Sequence, residues 1–201
     1  YGAASAGGRV LTSSSSPGIS LKQEGFSYIA GAELPAVVVN IVRGGPGLGG
    51  ILPAQGDYFQ ATKGGGHGDY RNIVIAPASI QELYEMTVEA FNLADKYRML
   101  VMILGDGTLG QMMEPLQIPE TRLTEPEKPW AVAGTAATRK NLITSIFLEH
   151  SVQEILITRL ENKYREMEEK EVLLEEVFTE DANILIVAYG ISSRIAHAAL
   201  E

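Results

Sequence analysis

Arg43 is the residue whose surroundings most favour ligand chemistry. It follows an apolar run, Ala36–Val42, and begins the glycine-rich stretch RGGPGLGG at residues 43–50. A guanidinium offers a planar set of donors that matches a carboxylate or a phosphate, and glycines beside it let a ligand approach the backbone closely. The sequence therefore indicates either a site for an acidic ligand at Arg43 or an arginine paired for structural reasons with a neighbouring carboxylate such as Asp57.

Two further loops contain residues that could meet the same ligand. The stretch TSSSSPG, residues 12–18, offers Ser16 as a helix N-cap and Pro17 as the first helical residue, which predicts free helix amides for an anion. The stretch GDGTLG, residues 105–110, begins like the pattern with which some enzymes bind a diphosphate and its magnesium ion. The asparagine that this pattern needs is missing from residues 130–137, so we expect no magnesium site in this loop.

The stretch KGGGHGDYRN, residues 63–72, allows two interpretations. It could cradle a phosphate, or it could be a flexible connection between two elements. Because it precedes an apolar run instead of opening a helix, the connection is favoured. His67 has Asp69 nearby, but no residue spacing typical of a metal site occurs.

The elements that must position these loops repeat one plan from Arg9 to about Gln111. Short, almost continuously apolar runs alternate with amphipathic helices, as expected for parallel strands covered on both faces. The predicted strands are 9–12, 36–42, 72–76 and 99–104. Ligands bind such sheets outside the carboxyl ends of the strands, which is where Arg43 and the other two loops follow.

Two helices between these strands have clear sequence signals. The first, entered through Ser16 and Pro17, is expected to bury a stripe of apolar or small residues: Leu21, Gly25, Tyr28, Ile29 and Ala32. In the second, Ser79 and Glu82 fit a capping box. Its expected buried stripe is Leu83, Met86, Ala90, Phe91, Ala94 and Tyr97.

The amino-acid composition of the chain changes beyond Gly110. Residues 115–130 contain prolines separated by charges, which is typical of a linker. We expect a helix over about 138–149 and then a long amphipathic helix with an apolar stripe: Leu156, Leu160, Tyr164, Met167, Leu174 and Phe178. Residues 183–190 predict a strand that opens a second α/β domain, and both ends of the sequence indicate a piece of a longer polypeptide.

The composition limits the classes of function. The formal net charge of -9 disfavours sequence-independent binding to nucleic acid, and the absence of cysteine excludes disulfides, thiolate nucleophiles and iron-sulfur clusters ligated by this chain. The longest apolar runs are far below the ~20 residues of a membrane span. We therefore expect a soluble cytoplasmic protein that binds neither nucleic acid nor membrane.

Several linked motifs resemble one enzyme family in the same order along the chain. They are SSPGISLKQEG, AGAELPAVVVN, RGGPGLGG, QGDYFQATKGGGHGDYRN, TVEAFNLADKYR and ILIVAYGISSRIA. These motifs are similar to the alpha subunit of 2-oxoacid:ferredoxin oxidoreductases, and most similar to the 2-oxoisovalerate (3-methyl-2-oxobutanoate, branched-chain) type. The resemblance covers nearly the whole chain and is weakest over residues 114–178.

The resemblance implies a fold and a set of partners. The fold is α/β, with a parallel sheet of the thiamine diphosphate-binding, pyrimidine-domain type over residues 1–113, a linker with long helices over 114–180, and the start of a transketolase C-terminal-like domain over 181–201. Thiamine diphosphate is expected to be shared with a beta subunit, and magnesium and iron-sulfur clusters are expected on partner subunits. The implied partners are this beta subunit, a ferredoxin-like iron-sulfur subunit, a gamma-type subunit and external ferredoxin, with coenzyme A as co-substrate.

The resemblance also implies roles for individual residues. Arg43 matches the arginine that pairs with the substrate carboxylate, and the expected cofactor-binding positions are Ser15, Ser16, Pro17, Gly18, Gly44 and Gly45. The catalytic glutamate of the family lies upstream of Tyr1, so no catalytic residue is expected in this chain, and Glu24 and Glu33 do not match it.

The implied activity is the coenzyme A-dependent oxidative decarboxylation of branched-chain 2-oxoacids to acyl-CoA and carbon dioxide, with reduction of ferredoxin. This piece of the chain is expected to be inactive alone. Two alternatives stay open. One is a 2-oxoglutarate-specific alpha subunit, and the other is a noncatalytic α/β assembly module.

Overall fold

The computed structural model describes residues 1–119 and 126–200. Its helices and strands follow the chain in the order α1 Gly2–Ser5, β1 Leu11–Ser14, α2 Pro17–Gly31, β2 Ala36–Val42, α3 Tyr58–Lys63, β3 Ile73–Ile75, α4 Ile80–Tyr97, β4 Leu100–Asp106, α5 His150–Lys170 and α6 Gly190–Ala198. The strands form one parallel sheet in the order β1-β2-β4-β3. The four predicted strands are therefore confirmed, with shifts of one or two residues at most of their ends.

The sheet is covered on both faces, which explains why its strands are apolar at almost every position. On one face α2 packs through Ile19, Phe26 and Ala30, and on the other face α4 packs through Ala90, Leu93, Ala94 and Tyr97. Side chains of β2 and β4 alternate between these two layers, Val38 and Met102 toward α2 and Val37 and Val101 toward α4. Each fully buried aliphatic side chain of this kind contributes roughly 1.5–3 kcal/mol to stability.

The predicted buried stripe of α2 is wrong at Leu21, Gly25 and Tyr28, but it is confirmed at Ala32, and Ile29 is partly buried against the core. Leu21 is 85% exposed and Tyr28 is 48% exposed, whereas Ile19, Gln23, Phe26 and Ala30 are buried. Gln23 belongs to the buried face because its side-chain oxygen accepts a hydrogen bond from the Tyr70 hydroxyl at 2.8 Å. A glutamine in the core position hid the true face of the helix from a search for apolar spacing.

The predictions for α4 are confirmed. The Ser79 hydroxyl accepts a hydrogen bond from the Glu82 amide at 3.1 Å, and the Glu82 carboxylate accepts one from the Ala78 amide at 2.7 Å. The second bond reaches one residue before the N-cap, so the motif is a shifted capping box. All six predicted stripe residues lie in this layer: Ala90, Ala94 and Tyr97 are buried, and Leu83, Met86 and Phe91 are partly buried against them.

Helix α5 packs over the α4 layer through Leu160, Tyr164 and Met167. It is also tied to the end of α2 by Glu33, whose carboxylate accepts a hydrogen bond from Lys163 at 2.8 Å and pairs with Arg159. Burial alone would raise the pKa of the Glu33 carboxyl, but the Lys163 bond and the nearby Arg159 and Arg98 lower it below its ordinary value.

Three expectations about the second half of the chain are not met. Residues 141–148 contain no helix, Leu174 and Phe178 lie beyond the end of α5 with exposed side chains, and residues 183–189 form no strand. In the described part of the chain no strand lies beside residues 183–189, so their backbone has no ladder to join. The proposed domain division itself stays a prediction. Part of the predicted linker, residues 120–125, lies outside the described residues.

Within residues 1–119 and 126–200, no helix combines the length and the apolar character that crossing a membrane requires.

Candidate functional site

The candidate site lies at the carboxyl edge of the sheet, between the ends of β2 and β4. The chain leaves β2 toward α3, whose Ala61 packs in the α2 layer. After β4 the chain turns toward the other face of the sheet, where α4 lies. There the Glu114 carboxylate accepts a hydrogen bond from the Ile80 amide, and the Gln117 amide donates one to the Gln81 side chain. Exits that diverge in this way open a crevice at the strand ends, where α/β sheets bind their ligands.

The stretch after β2 folds into a closed loop at this crevice, here called the Arg43 loop, residues 43–53. Arg43 and Pro53 form a bridge at its base, the Gly44 amide donates to the Leu52 carbonyl at 2.9 Å, and the Gly50 amide donates to the Gly44 carbonyl at 2.8 Å. The backbone of Gly49 has a φ of +65°, and a Cβ atom at this position would lie 1.8 Å from the Gly44 carbonyl oxygen. Glycine is therefore required at this position for the loop to close.

The Arg43 guanidinium is bound to its own loop. Its Nη1 donates to the Leu48 carbonyl and, at 2.7 Å, to the Gly50 carbonyl. The alternative of a structural pair with Asp57 is not observed, because the Asp57 carboxylate accepts a hydrogen bond from the buried Asn40 amide at 3.0 Å. Among the described residues, Nε and Nη2 of Arg43 have no hydrogen-bond partner. That edge of the guanidinium is open to a ligand.

The serine loop lies directly beside Arg43. The buried Ser16 hydroxyl is 3.4 Å from both the amide nitrogen and the carbonyl oxygen of Arg43, and the Ser15 hydroxyl is 3.4 Å from that of Ser16. Pro17 begins α2, and a side chain at Gly18 would meet the Ser14 hydroxyl. The structure thus brings the predicted serine and arginine loops together.

The prediction of free amides at the start of α2 is wrong. The Gly18 amide donates to the Ser15 carbonyl and the Ile19 amide to the Ser16 carbonyl, both at 3.0 Å. Ser16 occupies the N-cap position without a side-chain cap bond, and its φ is 49°. Any anion at this edge would therefore meet hydroxyl groups and the guanidinium instead of helix amides.

Gly44 and Gly45 differ in their surroundings. Gly44 takes part in loop closure through both its amide and its carbonyl. Gly45 is exposed, and a side chain there would meet nothing within 4 Å. Of these two predicted cofactor-binding positions, only Gly44 is built into the floor of the Arg43 loop.

Asp106 caps two backbone segments at the end of β4. Its buried carboxylate accepts hydrogen bonds from the Thr108 and Leu109 amides at 2.9 and 3.1 Å, and from the Ile191 amide at 3.3 Å. Both carboxylate oxygens accept hydrogen bonds from backbone amides. The expectation that the GDG stretch holds no magnesium stays a prediction.

The start of α6 covers part of the crevice, which the sequence analysis did not foresee. The Tyr189 hydroxyl donates to the Gln55 carbonyl, and its ring lies 5.7 Å from that of Tyr58. Burial raises the pKa of the Tyr189 phenol, and the nearby charges of Tyr58, Asp106 and Asp57 raise it further. No sequence signal joins residues 55 and 189, because they are 134 positions apart and meet only in the folded chain.

The loop at residues 63–72 is packed against α2. The Tyr70 hydroxyl bonds to Gln23 at 2.8 Å, and the Ser27 hydroxyl donates to the His67 carbonyl at 2.6 Å. Burial raises the pKa of the Tyr70 phenol. The His67 side chain is exposed. These contacts favour the connecting role over a phosphate cradle.

A protein-family comparison decides the ancestry of this arrangement. The family model described as "Pyruvate flavodoxin/ferredoxin oxidoreductase, thiamine diP-bdg" matches residues 1–178. The chain belongs to this family. The resemblance seen in the sequence is thereby confirmed, and so is the α/β fold of the thiamine diphosphate-binding type.

Individual relatives of this oxidoreductase family are similar over the full chain. The ketoisovalerate oxidoreductase subunit VorB of Methanothermobacter thermautotrophicus is 58% identical over 202 residues, covering 100% of this chain and 57% of that protein. The 2-oxoglutarate synthase subunit KorA of Archaeoglobus fulgidus is 35% identical over 216 residues, covering 100% of this chain and 58% of that protein. The chain therefore spans less than two thirds of the length of these relatives.

A solved structure in the same family matches the fold. It is the 2-oxoglutarate:ferredoxin oxidoreductase from Magnetococcus marinus with 2-oxoglutarate, coenzyme A and succinyl-CoA bound. The TM-score is 0.82 at 25% identity, covering 98% of this chain and 40% of that one. The match extends over α5 and α6 as well as over the sheet.

The residues of this chain fit only part of a thiamine diphosphate site. Arg43 and Ser16 suit an organic acid, but the carboxylates of Asp106 and Asp57 already accept hydrogen bonds from protein groups. Among the described residues, no group of three or more histidine, aspartate or glutamate side chains could bind a metal ion. The groups at this edge that suit a ligand are therefore the Arg43 guanidinium and the Ser16 hydroxyl.

Proposed function

We propose that this chain is part of the alpha subunit of a thiamine diphosphate-dependent 2-oxoacid:ferredoxin oxidoreductase that acts on branched-chain 2-oxoacids. The reaction is their oxidative decarboxylation with coenzyme A, which yields acyl-CoA and carbon dioxide and reduces ferredoxin. The supporting observation is the identity of 58% to two ketoisovalerate oxidoreductase subunits, against 35% and 33% to 2-oxoglutarate synthase subunits over the same full chain.

In this proposal Arg43 binds the substrate carboxylate. Nη1 is occupied by the Leu48 and Gly50 carbonyls, which fixes the plane of the guanidinium. Nη2 and Nε then form the pair of donors that matches a carboxylate. The Ser16 hydroxyl lies 3.4 Å from the Arg43 amide nitrogen, at the base of the same loop.

The cofactor and the other subunits complete the enzyme. Thiamine diphosphate, when bound, supplies the nucleophilic carbon and accepts the electron pair released with carbon dioxide. We assign the diphosphate, magnesium and iron-sulfur clusters to partner subunits, since the chain has no cysteine and the described residues include no metal-binding group. Ser15, Ser16, Pro17, Gly18, Gly44 and Gly45 are the residues proposed to line this chain's share of the cofactor cavity.

We further propose that residues 181–201 begin a second domain and that the enzyme works in the cytoplasm. The exposed apolar side chains of residues 184–187 support the first proposal, because such a run is typical of a buried strand. A noncatalytic module is disfavoured by a guanidinium fixed in its plane with one edge open.

Substrate profiling of the complete complex tests the proposed function. The values of kcat/KM for 3-methyl-2-oxobutanoate and for 2-oxoglutarate would be measured with the full-length chain and all its partner subunits. We expect a clear preference for the branched-chain acid. Preference for the dicarboxylate would support the 2-oxoglutarate enzyme instead, a candidate favoured by the 46% identity over 120 residues to a second KorA protein. Turnover of neither acid would support the assembly module.

A further inference from the structure

Gln55 joins the Arg43 loop to the start of α6 through three hydrogen bonds. Its side-chain Nε2 donates to the Tyr189 carbonyl at 2.9 Å, its Oε1 accepts from the Ser192 hydroxyl at 2.9 Å, and its backbone carbonyl accepts from the Tyr189 hydroxyl at 3.1 Å. The Tyr189 carbonyl can only accept, so the amide orientation of Gln55 is fixed by its partners.

Gln55 lies two residues after Pro53, the last residue of the Arg43 loop. The Ala54 amide donates to the Val42 carbonyl at 3.4 Å, and the Gly107 amide donates to the same oxygen at 3.0 Å. Arg43 and Pro53 form the bridge that closes the loop. A displacement of Gln55 would therefore reach Arg43 through a few directly bonded residues.

The start of α6 is anchored to the sheet independently of Gln55. The Asp106 carboxylate accepts from the Ile191 amide, and Arg194 pairs with Glu114 at 2.6 Å. Glu114 in turn accepts from the Ile80 amide at the start of α4 at 2.9 Å. Because α6 has these other attachments, Gln55 ties the loop to a fixed point.

We propose that Gln55 is a positioning residue: its bonds to Tyr189 and Ser192 hold the Arg43 loop in place, and with the loop the Arg43 guanidinium that the Leu48 and Gly50 carbonyls orient. The inference rests on the proposed function, in which Arg43 binds the carboxylate of the 2-oxoacid. Gln55 acts through the loop and contacts no reacting atom. Loss of its bonds weakens substrate binding and leaves the chemical step intact.

The test uses the complete complex with three single substitutions in the full-length chain. Gln55→Ala removes both side-chain bonds, Gln55→Glu keeps the size but sets a carboxylate against the Tyr189 carbonyl, and Tyr189→Phe removes only the hydroxyl bond. The loss of one or two hydrogen bonds is expected to raise KM for 3-methyl-2-oxobutanoate about 3- to 30-fold, with kcat and the KM for coenzyme A unchanged. The double variant Gln55→Ala/Tyr189→Phe should raise KM by less than the product of the two single effects.

Gln111→Ala is the matched control. Gln111 is an exposed glutamine in the turn after β4, and its side chain makes no hydrogen bond to the described residues. We expect its KM to equal that of the wild type.

Three results would overturn the inference. The first is an unchanged KM in the Gln55 variants, and the second is a fall in kcat with KM unchanged. The third is failure of both the Gln55→Glu and the Tyr189→Phe chains to assemble. That failure would assign the pair a purely structural role. Arg43→Ala separates this failure from that of the proposed function. If Arg43→Ala raises KM and the Gln55 variants do not, only the positioning role is wrong.

Discussion

At the scale of single residues, the site depends on how Arg43 divides its donors. One nitrogen bonds to carbonyls of its own loop, and the opposite edge has no partner among the described residues. An arginine held in this way loses less side-chain freedom when it binds a ligand, which favours affinity. A lysine at the same position has a single ammonium group, so it could not bond to the loop carbonyls with one nitrogen and present two further nitrogens to a ligand.

Sequence reasoning located Arg43 and the serine loop because both follow strands that end at one edge of a parallel sheet. It did not find Gln55, Tyr189 or the capping role of Asp106. Gln55 and Tyr189 have no local signature, since they are separated by 134 positions and meet only in the folded chain. The role of Asp106 was hidden because its second carboxylate oxygen caps a helix 85 positions away.

At the scale of elements, α2 shows where a pattern search fails. Two registers of the helix offer apolar or small residues at helical spacing, and the structure buries the one that contains Gln23. The partner of Gln23 is Tyr70, in a loop whose position no sequence pattern predicted. The helix expected over 138–149 and the strand expected over 183–190 did not form for a related reason. Local preference forms an element only when neighbouring elements can cover its apolar face.

The register of α2 can be tested with a matched pair of substitutions. Ile19→Ala removes a side chain with 0% exposure, and Leu21→Ala removes one with 85% exposure. We expect Ile19→Ala to lower the free energy of unfolding by about 2–5 kcal/mol, because it leaves a cavity between α2 and the sheet. Leu21→Ala should change it by less than about 0.5 kcal/mol. Urea denaturation of the full-length chain measures both, and equal losses would show that the helix is rotated from the orientation described.

At the scale of the whole molecule, α5 is attached to the sheet by charges as well as by apolar packing. Glu33 pairs with Lys163 and Arg159 of α5, and Arg98 donates to the Glu33 carbonyl at 3.0 Å while lying 4.4 Å from the Trp130 ring centre. The cluster thus connects α5, the end of α2 and the segment around Trp130. Because it contains one carboxylate and three cations, protonation of Glu33 leaves the cations without their counter-charge.

The acid stability of the chain should depend on Glu33. Its pKa in the folded state is below the ordinary value of 4.5, so its contribution to stability is fully present above about pH 4.5 and is lost as the pH falls through the lower, folded value. We expect Glu33→Gln to be less stable than the wild type at pH 7 and to lose less stability between about pH 5 and pH 3. Thermal unfolding of the full-length chain over this range measures the effect.

Glu24→Gln is the control for that experiment, since the exposed Glu24 only accepts a hydrogen bond from Tyr28. Its acid profile should follow the wild type. Parallel acid profiles for Glu33→Gln and the wild type would contradict the assigned role of the cluster.

The most direct test of the account is the KM of the Arg43→Ala complex for 3-methyl-2-oxobutanoate. Loss of a charge-assisted pair with the substrate carboxylate is expected to raise KM about 10- to 100-fold, with subunit assembly unchanged. Arg165→Ala, which removes an exposed arginine of α5, should leave KM unchanged. A wild-type KM in an assembled Arg43→Ala complex would contradict the claim that this guanidinium binds the 2-oxoacid.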